Sequence, residues 1–325
     1  MSLPPEIREL LAWEARLSRC LHGLSYAEQR AVVGEALERR ARETGLVVAD
    51  VARVEDVRIP VDAEGELRAR VYTPFAESPH PAFVHFHGGG FVGGSIDWFV
   101  NAAKCAYICA NAGCVVVTVD YRLAPEHPYP VAPEDCYAAL LWLVEAASEL
   151  GVDSTRIAVG GESAGGNLAA VTALMARDRD GPPLALQLLE VPVTDMSDAS
   201  IEFASLEAFG CGYGLDATTI ESFQDAYLPD AASRAEPYAS PLRAADLGGV
   251  APAHIITAEC DPLRDSGEAF ALRLQKAGVR TTLHRYTGHT HASSALWQTW
   301  APARAWMDEV VDAISDAVGA PAVTA

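Results

Sequence analysis

The sequence has little basic charge and no long apolar run, and each absence excludes a class of protein. Of its 325 residues, 24 are Lys or Arg and 44 are Asp or Glu, which gives a formal net charge of −20. No clustered basic face is visible, so nucleic acid is not an expected partner. No run reaches the ~20 apolar residues of a membrane-spanning helix, and no secretory signal peptide is evident.

The cysteines give no sign of a disulfide framework or of a metal site. There are seven, an odd number, and they form no C-x-x-C motif. Several lie in apolar stretches, where a free cysteine packs as a small hydrophobic residue. This usage is typical of a reducing compartment, so a cytoplasmic location is expected. Cys105 and Cys109 share a predicted helix, but a metal site would need further ligands, and none is expected.

Strand-like and helix-like segments alternate through most of the chain. An antiparallel edge pair is predicted at 54–60 and 66–72, with Glu64 and Gly65 in the turn between them. Six further strands are predicted at 83–87, 114–120, 157–160, 185–191, 254–258 and 281–286. Helices are predicted near 98–111, 132–149, 163–178, 266–277 and 293–316. This alternation predicts an α/β fold, with a mostly parallel central sheet covered by helices on both faces.

Two segments stand outside the alternation. Residues 1–50 are predicted to be helical, and residues 193–253 interrupt the core, 51–192 and 254–318, with a helix near 216–228. An insertion after the carboxyl end of a strand lies over the site of an open α/β sheet. We therefore expect both segments to form a helical cap, and residues 319–325 to be a loose tail.

Residues 161–165 read Gly-Glu-Ser-Ala-Gly and fit the G-x-S-x-G motif. An apolar run precedes them and a helical apolar pattern follows, so Ser163 is predicted on a sharp turn from strand to helix. Glycine is needed on both sides, because a Cβ there would collide with neighbouring backbone. The alternative is a glycine-rich loop with an incidental serine. The context favours a serine nucleophile.

Residues 87–90 read His-Gly-Gly-Gly and close an earlier apolar run. A loop of this kind supplies backbone N–H groups to an oxyanion. His87 is interpreted as a brace for the loop, with Gly88 beside it, and not as a base. The two motifs occur in the order and context that predict a serine hydrolase.

A serine nucleophile needs a base, and the base needs a carboxylate, in the chain order Ser, acid, His. The acid slot after the strand 254–258 holds Glu259, Asp261 and Asp265. Asp261 is favoured because Pro262 fixes it, although a helix N-cap is the alternative; Asp265 is expected to cap the next helix.

The slot after the last strand holds His289 and His291, and from the residues alone either could serve as the base. His-x-His can also bind a metal ion, but no third ligand is evident nearby.

The sequence resembles the hormone-sensitive-lipase family of α/β-hydrolase esterases, especially its bacterial members. The matching stretches are HGGGFVGGS at 87–95, DYRLAPEHPYP at 120–130, GGESAGGNL at 160–168 and DPLRD at 261–265. The resemblance implies an α/β-hydrolase fold with a helical cap. It also implies Ser163 as nucleophile, Asp261 as acid and His291 as base. The amides of Gly89, Gly90 and Ala164 would form the oxyanion hole.

The sequence departs from the family pattern at three positions. Glu162 stands where Asp is usual, and Ala292-Ser293 follows His291 where Gly-Phe is usual. Glu190 lies in a strand end that is usually apolar. We interpret Glu190 as a paired structural acid, the alternative being a role at the site.

The expected function is the hydrolysis of short- to medium-chain carboxylic esters of small, uncharged substrates without a cofactor. An amidase or deacetylase could use the same triad. A non-catalytic receptor, like the plant gibberellin receptors, is the other alternative, although those lack a working histidine. The oligomeric state is left open, with a homodimer among the options.

Overall fold

A computed structural model of the protein describes residues 3–61 and 65–319. Within them the strands are β1 (Arg53–Pro60), β2 (Glu66–Thr73), β3 (His80–Phe86), β4 (Val115–Asp120), β5 (Val152–Glu162), β6 (Leu186–Glu190), β7 (Ala253–Cys260) and β8 (Thr281–Thr290). The helices are α1 (Pro5–Leu21), α2 (Tyr26–Thr44), α3 (Phe99–Ala112), α4 (Val131–Glu145), α5 (Ala147–Leu150), α6 (Ala164–Asp178), α7 (Ala204–Phe209), α8 (Ala217–Tyr227), α9 (Arg264–Lys276) and α10 (Ala301–Val318).

The strands of the described chain form one sheet in the order β1-β2-β4-β3-β5-β6-β7-β8. β2 runs antiparallel to β1 and β4, and the other neighbouring strands are parallel. Parallel strands covered on both faces need near-continuous apolar sequence. β4 reads VVVTVD and is buried except at its last residue, which is half-buried. The predicted α/β-hydrolase fold is confirmed.

Helices cover both faces of this sheet. α4, α6 and α9 pack on one face, where Leu168 is buried, and α3 and α10 pack on the other, where Trp306 is buried. Because successive side chains of a strand point to opposite faces, β3 gives Phe86 to the first core and Phe83 to the second. In the described ranges, no helix has both the length and the hydropathy needed to cross a bilayer.

The second N-terminal helix, α2, is tied to the loops that follow β3 and β4. α2 begins in a capping box, in which Ser25 and Glu28 satisfy each other's backbone amides. From α2, Arg30 donates to Val92 O and to Ala124 O, each at 2.7 Å. These bonds hold α2 against both loops.

The structure corrects the predicted helix 293–316. The segment is a 3₁₀ turn, Ser293–Leu296, followed by the separate helix α10. Pro302 in the first turn of α10 has no N–H to donate and so starts a new helix. The predicted turn residue Glu64 and residues 320–325 of the predicted tail lie outside the described residues, and Gly319 caps α10 in a left-handed conformation.

Candidate active site

Ser163 lies on a strained turn between β5 and α6, with φ 59° and ψ −117°. Glycine is required on both sides of it. A Cβ on Gly161 or on Gly165 would overlap the carbonyl oxygen of Phe86 in the neighbouring strand. This close approach lifts the serine hydroxyl above the end of the sheet.

The structure brings three of the predicted site residues together. His291 Nε2 lies 2.9 Å from Ser163 Oγ, and His291 Nδ1 lies 2.9 Å from Asp261 Oδ2. Burial alone would lower the pKa of His291, but the charge and hydrogen bond of Asp261 raise it above its ordinary value. The imidazole can therefore take a proton from Ser163 and be stabilised as the cation.

His289 lies two residues away in a different environment. Its ring packs against Tyr286, Trp300 and Trp306, and its Nδ1 lies 2.9 Å from Ser293 Oγ. Burial lowers its pKa to about 4, so this ring is neutral at ordinary pH. β8 ends at Thr290, so His289 lies within the strand and His291 lies in the turn that follows it, where its ring reaches the serine.

The other two carboxylates of the acid slot have structural partners. Glu259 accepts a hydrogen bond from Gly288 N at 2.7 Å. Asp265 does not cap α9 as expected. It is the second residue of that helix, and its carboxylate accepts from Ser205 N at 2.8 Å, outside the helix.

The glycine loop lies beside the serine. In the described part of the chain, the amides of Gly89, Gly90 and Ala164 donate to no protein acceptor. His87 Nδ1 lies 2.9 Å from Gly88 O, and Tyr121 stacks on the His87 ring while donating to His87 O at 2.8 Å. The loop is thus fixed with unused donors beside Ser163.

The space above these groups is a pocket of about 330 Å³. Ser163, His291 and Gly88–Gly90 form one wall. The segment 193–253 forms the opposite wall through Leu215, Ile220, Phe223 and Gln224. A Cβ on Gly90 would overlap the Phe223 ring, so α8 sits directly on the glycine loop.

Comparison with known proteins assigns a family to this arrangement. A family model described as alpha/beta hydrolase fold matches residues 83–294. The carboxylic ester hydrolase LipN of Mycobacterium tuberculosis is 43% identical over 268 residues, which cover 80% of this chain and 69% of LipN. The chain belongs to the hormone-sensitive-lipase-like esterases.

Solved esterase structures share the whole architecture. The hyperthermophilic esterase from the archaeon Pyrobaculum calidifontis superposes with a TM-score of 0.88 at 36% identity, covering 99% of this chain and 100% of that one. The ester-hydrolase EH1AB1 from the metagenome of Lake Arreo, complexed with a derivative of bipyridine phosphonate, gives 0.89 at 36% identity, covering 98% and 100%. The present chain is likewise a carboxylic ester hydrolase.

Sequence reasoning missed Lys104 of α3, which lines the pocket of this esterase. Its ammonium lies 2.8 Å from Glu162 Oε2 and 2.7 Å from Glu190 Oε1. Glu190 also accepts from Trp306 Nε1 at 2.8 Å, so it is a paired buried acid, as interpreted. The signal was a charged residue inside the apolar run 99–112.

Glu14 of α1 was also missed. It borders a second pocket, of about 120 Å³, that shares Leu46, Val100, Ala292 and Ala295 with the first. Burial raises the pKa of Glu14 to about 7 against the opposing charges of His291 and Arg40. Glu14 is therefore a further carboxylate, besides Asp261 and Glu162, within electrostatic reach of His291.

The described residues of the esterase contain no set of side chains that could bind a metal ion. No group of three His, Cys, Asp or Glu side chains there could hold an ion. His289 and His291, the His-x-His pair, face different surroundings and do not converge.

Proposed function

We propose that this esterase hydrolyses its substrates through Ser163 as nucleophile, His291 as general base and Asp261 as the orienting acid. The observation that carries the proposal is the pair of 2.9 Å contacts that joins the three side chains in that order. A serine hydroxyl is a weak nucleophile, and this arrangement removes its proton as the bond to the carbonyl forms.

The negative charge that develops on the carbonyl oxygen is taken up by backbone donors. We assign this role to the amides of Gly89, Gly90 and Ala164, each worth roughly 3 kcal/mol by analogy with measured oxyanion donors. His87 and Gly88 act as support, because the hydrogen bond to Gly88 O fixes the peptide unit that carries the Gly89 amide.

The protonated His291 then gives its proton to the leaving alcohol, and an acyl group remains on Ser163. Water, deprotonated by the same histidine, attacks the acyl group and releases the acid. Every proton in this cycle moves through His291, so the proposed reaction needs no cofactor.

The pocket supports short- to medium-chain esters of small, uncharged substrates. Its volume of about 330 Å³ is at the lower end of ligand pockets, and apolar side chains dominate its lining. We propose that residues 1–50 and 193–253 act as caps that limit the length of the acyl chain. All seven cysteines are free thiols, which supports our further proposal of a cytoplasmic location.

Replacement of Ser163 tests this proposal. Ser163→Ala should lower kcat for p-nitrophenyl butyrate by at least ~10⁴-fold, because removal of a triad member leaves only binding and the oxyanion hole. A phosphonate ester should add covalently to Ser163 of the native enzyme, seen by peptide mass. Ser294→Ala, which changes another serine lining the pocket, is the matched control and should keep its activity. Turnover by Ser163→Ala within tenfold of the native enzyme would refute the proposal.

A further inference from the structure

A cluster of charged side chains lies directly behind the serine, and all but the half-buried Glu162 are buried. Its members are Lys104 from α3, His85 from β3, Glu162 from β5 and Glu190 from β6. Glu162 Oε2 lies 2.8 Å from Lys104 Nζ and 3.1 Å from His85 Nε2. We call these four residues the rear cluster.

The rear cluster contains a conflict that Lys104 resolves. Glu162 and Glu190 are register partners on neighbouring parallel strands, so two carboxylates stand side by side, with Glu190 buried and Glu162 half-buried. Like charges in that arrangement repel each other, and buried charges need partners. Lys104 bridges them, and its charge holds the pKa of Glu162 well below the ordinary value despite burial.

His85 adds a second positive charge, since its Nε2 contacts the same Glu162 oxygen, Oε2, as Lys104 does. Burial alone would lower the pKa of this histidine, but its contacts with Cys105 and Glu162 raise it to about 10. Lys104 and His85 therefore oppose the two carboxylates.

The rear cluster is connected to the reacting groups by the backbone. Glu162 directly precedes Ser163, and its Oε1 accepts the amide of Gly88 at 3.0 Å. Ser163 N donates to the backbone oxygen of Glu190 at 2.9 Å. Lys104 and Glu162 also line the pocket beside the serine. A change of charge in the cluster therefore acts at short range on the glycine loop and the serine.

We propose that Lys104, Glu162 and Glu190 position the glycine loop and the serine turn, and that Lys104 cancels the carboxylate charge that would otherwise oppose a negative carbonyl oxygen. This inference rests on the proposed serine mechanism. Lys104 is a positioning residue, because it acts through the groups that it holds and through its field.

The proposal predicts opposite effects from opposite changes of charge. Lys104→Met adds one uncompensated negative charge behind the site, which disfavours the oxyanion and favours protonated His291. Glu190→Gln removes one negative charge while keeping an acceptor for Trp306. The other carboxylates that raise the pKa of His291, namely Asp261 at the end of β7 and Glu14 from α1, stay in place.

The test compares kcat, KM and the pH profile of kcat/KM in Lys104→Met, Glu190→Gln and the double variant. Lys104→Met should lower kcat at least ~10-fold with KM within about threefold. It should raise the acidic midpoint of the profile by ~0.5 pH unit, for a charge on the order of 10 Å away. Glu190→Gln should lower that midpoint, and the double variant should return it close to the native value. Lys276→Met, an exposed lysine of α9, is the matched control and should leave the profile unchanged.

If the cluster is purely structural, the variants should have lower melting temperatures, and the acidic midpoints of their kcat/KM profiles should stay fixed or move in the same direction. That result would overturn the inference. If Lys104→Met does not fold, Glu190→Gln decides alone, since an unmoved midpoint contradicts the proposal and a lowered one supports it. If Lys104→Met folds and has the kinetics of the native enzyme, this inference is refuted. The proposed serine mechanism would still stand, provided that the enzyme still requires Ser163.

Discussion

The two walls of the pocket are built in different ways. The strand-end wall, made of Ser163, His291 and Gly88–Gly90, consists of polar groups held by hydrogen bonds to one another or to the sheet. The helical wall is mainly apolar and consists of Ile220, Phe223 and Gln224 of α8 with Leu215 just before the helix. The side-chain amide of Gln224 donates to Met196 O at 2.7 Å. This difference fits our proposal that the strand ends carry the reaction and the helices select the substrate.

The largest effect should come from the strand-end wall and should separate its two histidines. His291→Ala should lower kcat by at least ~10⁴-fold without unfolding the protein, because the serine loses its base. His289→Ala should lower kcat less than ~10-fold but destabilise the fold by ~2–4 kcal/mol, because it leaves a cavity among aromatic rings. Activity assays and urea unfolding of both variants measure the contrast. An inactive His289 variant beside an active His291 variant would reverse the assignment.

The next largest effect should come from Asp261, the carboxylate that contacts His291. The pKa of His291 is raised, so kcat/KM should fall as pH drops through a midpoint above the 6.5 of an ordinary histidine. Asp261→Asn should lower kcat by ~10⁴-fold and move that midpoint to lower pH, because the charge that favours the imidazolium is gone. Asp265→Asn is the matched control, since its carboxylate contacts Ser205 and Arg264. A midpoint that stays in place in Asp261→Asn would contradict the pairing.

The helical wall should show a smaller effect, on selectivity. For p-nitrophenyl esters, kcat/KM should peak between acetyl and hexanoyl and fall at least ~10-fold at twelve carbons. Phe223→Ala should shift the peak to longer chains, since each added buried CH₂ is worth about 0.8 kcal/mol. Phe75→Ala, at a ring that is 74% exposed, controls for loss of an aromatic residue. A native preference that rises steadily to palmitoyl esters would show that the helices do not limit the pocket.

Deleting residues 1 to about 40 is a second test of how the helices limit the substrate. It should lower activity and broaden or shift the chain-length preference, because the deleted helices line the second pocket, which shares Leu46 with the catalytic pocket. An unchanged preference would confine selectivity to residues 193–253.

The smallest effect should come from Glu14, a charged group that α1 brings near the strand-end wall. Glu14→Gln should lower the midpoint of the kcat/KM profile by a few tenths of a pH unit, less than Asp261→Asn does, because Glu14 also raises the pKa of His291. Glu9→Gln, an exposed carboxylate on the same helix, is the control. Equal shifts in both variants would indicate a general surface-charge effect.

The sequence predicts the parts of the site that depend on local geometry. Gly161 and Gly165 mark the serine turn because backbone crowding allows no side chain there. The slots of Asp261 and His291 follow from the positions of strand ends. The choice between His289 and His291 was not decided by spacing, because the difference is one of surroundings. Aromatic rings enclose one histidine, and a carboxylate faces the other.

Features that join distant segments could not be predicted in the same way. Lys104 meets carboxylates from two strands that are far from it in sequence, and only the register of β5 and β6 brings those carboxylates together. The break before α10 had a local signal in Pro302, but the apolar spacing continues across it. The apolar spacing alone therefore predicted one helix where the structure has a 3₁₀ turn and α10.

The backbone of Ser163 carries a cost in stability. Its dihedral angles, φ 59° and ψ −117°, belong to a region that only glycine enters freely, and such a residue costs about 1–3 kcal/mol. The rest of the domain must supply that surplus, since a domain is stable by only ~5–15 kcal/mol in total. Glycine at this position would relieve the strain but would lack the hydroxyl, so stability and turnover make opposite demands on this one residue.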